Sequence, residues 1–443
     1  MLSFEKNVQE YAILDNKYKI LHDLGEGRFA KVKLAESLDD SKLFAIKMMR
    51  DKEVNTTKKL ESIHREVEIL SKLRHKNIID IYEVSSTGRY MKRDGTTRNV
   101  IYYVMRYAEC GELYKMIECC ERITEKMART FFHQIIDGID FCHRNGVSHL
   151  DIKSENILVD KSLNIKLGDF GSSNYTRRSD NSRIMLNTDT PVGSDMYNAP
   201  EITNKWEWAY CGEMADVFSA GALLFVMMMK GPPFGSSHDS DPYYKRLVNN
   251  PEAFWKIFGH ETPSPEFKDL FEKMTKRNPG DRIPIPEIRA HAWYNQEIYS
   301  REEFPKVMRS RVRSLMEVTD KEIKSKRDQR CGKGQRKSRS PKNSTFSQDV
   351  ETMKLQMAEI FEDINHQLKN RSPGAKIQKK ELHSFGSLLA NDEMMAKTKK
   401  KRKDTDLAAA DCEQMSKSTP RSDEEELESC CFGTESRSRG SNE

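Results

Sequence analysis

No apolar run in this chain of 443 residues approaches the roughly 20 residues that a bilayer-spanning helix requires. The most apolar stretch, A-G-A-L-L-F-V-M-M-M at Ala220–Met229, reads as a buried core helix, so no membrane partner is expected. The opening M-L-S-F-E-K-N lacks the apolar core of a signal peptide, and neither Met-Gly nor a C-terminal C-a-a-X motif marks lipidation. Nine cysteines include no C-x-x-C pair, and no histidine stands at metal-ligand spacing. Cys119-Cys120 and Cys430-Cys431 are adjacent pairs, poor geometry for a disulfide framework. These absences point to a reducing, intracellular, cytoplasmic setting in which cysteines serve mostly as small core hydrophobes. Charge of one sign is missing too. Against 74 basic residues stand 69 acidic ones, net +5, too little to imply nucleic acid as a partner.

What is present is polarity: 32% charged against 37% hydrophobic residues. That is high for one compact domain and predicts a globular part plus a sizeable disordered part. Composition shifts near residue 300, where R-S-R-V-R-S, K-T-K-K-K-R-K and S-D-E-E-E-L-E-S replace regular patterning. Residues 295–443 read as a solvated, low-complexity tail. Before it, Tyr18–Met49 alternates apolar and polar residues and breaks at glycines, predicting antiparallel strands. Ile63, Val67, Leu70 and Leu73 recur at helical spacing, Ile101–Met105 is strand-like, and M-K-R-D-G-T-T (Met91–Thr97) reads as a turn. Glu112–Cys119 and Glu125–His143 look helical, and helices dominate from Glu213 onward. The fold class is α+β, a small β-rich lobe followed by a larger helical lobe.

Three stretches carry chemistry. In L-G-E-G-R-F-A-K-V (Leu24–Val32), glycines let backbone N–H groups approach a polyphosphate, although a lone G-x-G is usually just a turn. Lys47 ends the apolar strand A-I-K and is costly to bury without an anionic partner. Glu66, on the following helix, suits it, although a lone lysine there would more simply snorkel to solvent. In V-S-H-L-D-I-K-S-E-N, Asp151, Lys153 and Asn156 supply an acid, a base and an amide. Phosphoryl transfer to a hydroxyl needs such a set: a carboxylate to orient the alcohol, cationic charge on the phosphate and ligands for Mg²⁺. A second metal ligand is available in I-K-L-G-D-F-G, at Asp169.

Taken in order, these stretches resemble the eukaryotic protein kinases of serine/threonine type, over residues 18–294 (N-lobe about 18–107, C-lobe about 108–294). A-P-E at 199–201, D-V-F-S-A-G at 216–221 and G-D-R-I ending near Arg282 complete the series. H-A-W-Y at 291–294 resembles the calmodulin-dependent and AMP-activated group. The resemblance implies a two-lobed fold with ATP and Mg²⁺ as cofactors. ATP would be held by Leu24, Gly25, Glu26, Gly27, Arg28, Phe29, Ala30, Lys31 and Val32, together with Ala45, Lys47, Glu66, Met105, Ala108, Glu112 and Leu158. Met105 resembles the gatekeeper, with Tyr107 and Ala108 as hinge. Asp151 would be the base, Lys153 the γ-phosphate contact, and Asn156 and Asp169 the metal ligands. Asp216 would brace the catalytic loop, and Arg282 would pair with Glu201. Lys153 marks the serine/threonine type, and Ser194 stands where relatives bond the catalytic Asp through a threonine. Glu112 and Glu155 match positions that receive an arginine three residues before the target, although Glu112 equally suits the ATP ribose. The alternative is a pseudokinase or scaffold that keeps the fold without the transfer.

Three positions depart from the family pattern. Ala30 replaces the third loop glycine, tolerable if φ stays negative. Arg106 replaces an acidic residue and has no functional reading in the sequence. Leu150 replaces the arginine of H-R-D, which in relatives binds a phosphorylated activation-loop residue, here Thr190. Leucine cannot make that contact, so weak dependence on Thr190 phosphorylation is expected, with Arg177 and Arg178 as substitute cations. In the tail, Val350, Met353, Met357, Ile360, Ile364 and Leu368 form an apolar stripe, a candidate amphipathic helix over 349–369. It suits a regulatory partner or docking onto the kinase domain, or else forms only transiently. R-V-R-S (311–314) sets Arg311 three residues before Ser314, a pattern for autophosphorylation or pseudosubstrate inhibition. Lys399–Lys403 resembles a nuclear localisation signal as well as an ordinary solvated charge run.

Overall fold

The computed structural model describes residues 10–27, 30–50, 56–119, 123–178, 180–188, 192–259, 263–332 and 348–370. Strands come first: β1 (Ala12–Leu14), β2 (Tyr18–Glu26), β3 (Ala30–Ser37), β4 (Leu43–Met49), β5 (Ile81–Met91) and β6 (Thr97–Arg106). They close into an antiparallel barrel in the order β1-β2-β3-β4-β6-β5. Closure depends on β1, which lies ahead of the predicted strands and pairs Ile13 with Met91 and Leu14 with Tyr90. The polar turn forms between β5 and β6, where Met91 faces Thr97 and Gly95 takes φ +79°.

Period-two alternation sorts the strand residues between two apolar clusters. Ile46, Met48, Tyr102 and Val104 pack with Leu14, Ile20 and Ala35 on one side. Ala45, Met49, Ile101, Tyr103 and Met105 face the main core. Lys47 falls on the same face as Ala45 and Met49, so register alone turns it toward the main core and α1. Helix α1 (Thr57–Lys72) buries Leu60, Val67, Ile69 and Leu70 in that core, with Glu66 buried among them.

Helices follow: α2 (Leu113–Cys119) and α3 (Glu125–Arg144), the latter opened by the Thr124 cap. Short strands β7 (Val147–Ser148), β8 (Ile157–Val159), β9 (Ile165–Leu167) and β10 (Asn174–Tyr175) carry the loops of interest. After β11 (Leu186–Asn187), α4 (Pro200–Thr203) and β12 (Ala209–Tyr210) comes α5 (Gly212–Met229). Nearly every side chain of α5 is buried, so its apolar run is a core helix. Helices α6 (Pro242–Asn249), α7 (Pro251–Lys256), α8 (Pro265–Met274) and α9 (Ile285–Ala290) pack around it. Two tail helices complete the described chain. In α10 (Phe304–Gly332), Phe304, Met308 and Leu315 are buried, and the helix runs against α2. The stripe residues lie on α11 (Gln348–Lys369), which packs on β5 and α1.

Candidate active site

At the barrel's inner edge, Lys47 Nζ meets Glu66 Oε1 at 2.6 Å and Asp169 Oδ1 at 2.9 Å. Burial by itself lowers the pKa of the lysine, but the charges of Glu66 and Asp169 outweigh it and hold the pKa well above the usual value. Lys47 in turn pulls Asp169 down to about 2, so this carboxylate is ionised at neutral pH. The Tyr103 hydroxyl donates to Glu66 Oε1 at 2.6 Å, adding a second partner to the α1 glutamate. Asp169 adopts a left-handed φ of +53°, which starts a single turn, Phe170–Ser172. Space at Gly171 is tight: a Cβ would sit 3.3 Å from Asp169 Oδ1 and in ordinary contact, 3.7 Å, with Glu66 Oε2.

The loop between β7 and β8 holds the second cluster. Lys153 Nζ lies 2.8 Å from Asp151 Oδ2 and donates to Ser194 Oγ at 2.9 Å. Ser194 Oγ donates to Asp151 Oδ1 at 3.2 Å, closing a triangle of acid, base and hydroxyl. Asn156 Nδ2 donates to both the Asp151 carbonyl (2.8 Å) and Asp151 Oδ2 (2.9 Å). Its amide oxygen is therefore the end left to face a ligand. The loop itself is hung from α5: the backbone N–H of His149 and of Leu150 each donate to the buried Asp216 carboxylate at 2.8 Å. The His149 ring packs on Phe170, with centroids 4.7 Å apart, and bonds the Gly168 carbonyl at 2.9 Å. Arg282, fully buried, grips Glu201 through two bonds of 2.7 and 2.5 Å.

The predicted nucleotide-binding residues that are described fall on β2, β3, β4, α1, β6 and β8 and in the segments that follow β2 and β6. Leu24, Gly25 and Glu26 end β2, and Ala30, Lys31 and Val32 begin β3. Space beside Gly25 is open, so the backbone can be approached there. Ala30 has no positive φ and pairs with Met49 as ordinary strand. Lys31 is tied to Glu26 at 3.1 Å. Ala45 faces Met105 and Lys47 faces Val32 across neighbouring strands. Ala108 follows β6 and is buried, and Glu112 bridges Leu158. Tyr114 N donates to the Ser154 carbonyl, which brings the start of α2 beside Glu155. Arg28 and Phe29, Thr190 and Lys399–Lys403 lie outside the described residues.

Three features escaped the sequence. Arg106 has a plain role: its Nε bonds Asp80 Oδ2 at 2.6 Å and its backbone N–H bonds the Asp80 carbonyl, tying the end of β6 to the approach of β5. Leu150 is buried with φ +65°, its side chain absorbed into the core. Arg177 is not a spare cation, because it pairs with the buried Glu213 at 2.9 Å, and Arg183 reaches the same carboxylate at 3.4 Å. A glutamate in the first turn of an apolar helix was the available signal, since burying it demands a cationic partner.

The family model described as "Protein kinase domain" matches residues 18–294. Among curated proteins, the chain is 35% identical over 286 residues to "CBL-interacting protein kinase 26" of Oryza sativa subsp. japonica, covering 64% of this chain and 53% of that protein. It is 34% identical over 312 residues to "CBL-interacting serine/threonine-protein kinase 10" of Arabidopsis thaliana, covering 69% and 59%. The chain thus spans about half the length of the curated relatives it matches.

Proposed function

The chain belongs to the protein kinase family, and from that premise we propose that it is a serine/threonine protein kinase. It would transfer the γ-phosphoryl group of ATP to hydroxyls of protein substrates within a two-lobed domain over residues 18–294. The observation that carries this reading is the Asp151–Lys153–Ser194 triangle together with the Lys47–Glu66–Asp169 cluster, their two loops joined by the bond from the Gly168 N–H to the Asn156 carbonyl at 2.8 Å. Asp151 would orient the substrate hydroxyl and take its proton as that oxygen bonds the γ-phosphorus and the bond to ADP breaks. Lys153 would balance charge on the transferred group, and Lys47, fixed by Glu66, would hold the other phosphates. Asn156 and Asp169 both present oxygen, the donor that Mg²⁺ takes; when bound, the ion neutralises charge on the phosphate oxygens.

The neighbourhood of Glu112 and Glu155 supports a preference for arginine three residues before the target. The test is incorporation of label from radiolabelled ATP into a degenerate peptide library by the full chain, beside Asp151→Ala. Loss of a general base lowers kcat by about 10²–10⁴-fold, with arginine enriched at that peptide position. Equal labelling by both proteins, or none by either, would leave the pseudokinase reading standing. Equal use of alanine and arginine peptides would remove only the arginine preference.

A further inference from the structure

Helix α11 brings the tail to the back of α1, the helix whose Glu66 faces Lys47 on the other side. Val350, Met357, Phe361 and Ile364 are buried in the same apolar cluster as Leu60, Val67, Ile69 and Leu70 of α1. Met353, Ile360 and Leu368 pack at its margin. One polar contact fixes the register. Asn365 accepts from the Val84 N–H at 2.9 Å and donates to the Val84 carbonyl at 2.8 Å. Strand β5 is paired by β1 only at Tyr90 and Met91, so among the described residues no strand lies beside the outer edge at Val84. The Asn365 amide takes the place of that missing strand, satisfying two buried backbone groups at once.

We propose that α11 is an intramolecular brace that holds α1 where Glu66 reaches Lys47, with Phe361 and Asn365 as positioning residues for the nucleotide-binding lysine. The reasoning is one of linkage. Asn365 is clamped to β5, part of the closed barrel, while the apolar face of the same helix covers α1. A helix bound to both is complementary to one spacing between them, so its docking free energy favours the α1 position in which the ion pair is made. The tail is then an activating element rather than a lid on the active site. The idea rests on the proposed kinase activity, but its physical core, restraint of α1, does not.

The experiment compares the full chain with Phe361→Asp, Asn365→Leu and the conservative Phe361→Leu. Two readouts are taken: steady-state kinetics, and hydrogen exchange of backbone amides in α1, with those of α5 as the folding control. Phe361→Asp and Asn365→Leu are expected to lower kcat about tenfold, equivalent to an active population near one tenth, and to speed exchange in α1 while α5 stays protected. Phe361→Leu should remain within about twofold of the parent, since an apolar swap keeps the packing. Unchanged or raised kcat in Phe361→Asp would overturn the brace, as would unaltered exchange in α1. If the parent chain transfers no phosphate at all, the kinase reading fails, and the exchange of α1 still decides the brace by itself.

Discussion

Two buried carboxylates stand three residues apart near the start of α5 and hold opposite kinds of partner. Asp216 accepts from backbone, the N–H groups of His149 and Leu150, and from the His143 ring at 2.8 Å. Glu213 accepts from side chains, the guanidinium groups of Arg177 and Arg183 in the segment that follows the Asp169 turn. The contrast explains how the arginine of the H-R-D pattern can be leucine. Asp216 suspends the catalytic loop by its main chain, so the geometry of Asp151 does not depend on the side chain at 150. That position is free to join the core, as the burial of Leu150 shows. Glu213 meanwhile occupies Arg177, one of the two cations that could take over the missing arginine's task, and Arg183 beside it. On the proposed kinase reading, the catalytic loop hangs on one carboxylate, and two arginines of the segment after the Asp169 turn are held by the other.

The strongest way to break this comparison is Asp216→Ala. It strips two amides and a histidine of their common acceptor in a fully buried site. Removing one member of such a network costs about 3–5 kcal/mol, read as a fall in the urea unfolding midpoint. The kcat of the folded fraction should drop as well, because Asp151 loses its support. If unfolding and kcat both stay at parent values, the loop is held by something else.

Glu213→Gln should act more mildly. Both arginines are partly exposed, at 30% and 53% of the side chain, so solvent compensates part of the loss. A cost of about 1–2 kcal/mol is expected in stability, with kcat close to the parent. A collapse in kcat comparable to that of Asp216→Ala would erase the division of labour between the two carboxylates.

The two residues also differ in how they could be read from sequence. Asp216 sits in D-V-F-S-A-G, a pattern tied to chemistry, and its role could be anticipated. Glu213 belongs to no pattern, and only the cost of burying it betrays a partner. The same holds across the molecule. Lys47, Glu66, Asp151, Lys153, Asn156 and Asp169 were legible because charged groups among apolar neighbours must be matched, and phosphoryl transfer needs those types at that spacing. The strands β2 to β4 were legible by alternation, β6 in part as a strand-like run and β5 only through the turn after it, whereas β1 is three residues long, too short for any period to show. The tail stripe named six apolar positions but passed over Phe361, one helical turn beyond Met357 and among the most buried of them. Periodicity says that a face must be covered. It does not say by what, and the partner surface on β5 and α1 lies more than 250 residues away in sequence.

The smallest expected effect concerns Thr190, and it sharpens the comparison most finely. A phosphate there would need a cation to organise the segment. Leu150 supplies none, and Arg177 and Arg183 are already bound to Glu213, which leaves Arg178, of the two expected substitutes, outside that pair. Thr190→Ala should therefore change kcat by less than about twofold, because no population of loop conformers depends on that phosphate. In a Glu213→Gln background both guanidinium groups are released from their carboxylate, and the same substitution should then cost more activity than it does in the parent chain. A fall of tenfold or more for Thr190→Ala in the parent, with unfolding unchanged, would mean that another cation serves the phosphate and that Glu213 does not govern the switch. Equal small effects in both backgrounds would mean that the segment is set by its backbone contacts alone, the condition that Asp216 already imposes on the catalytic loop.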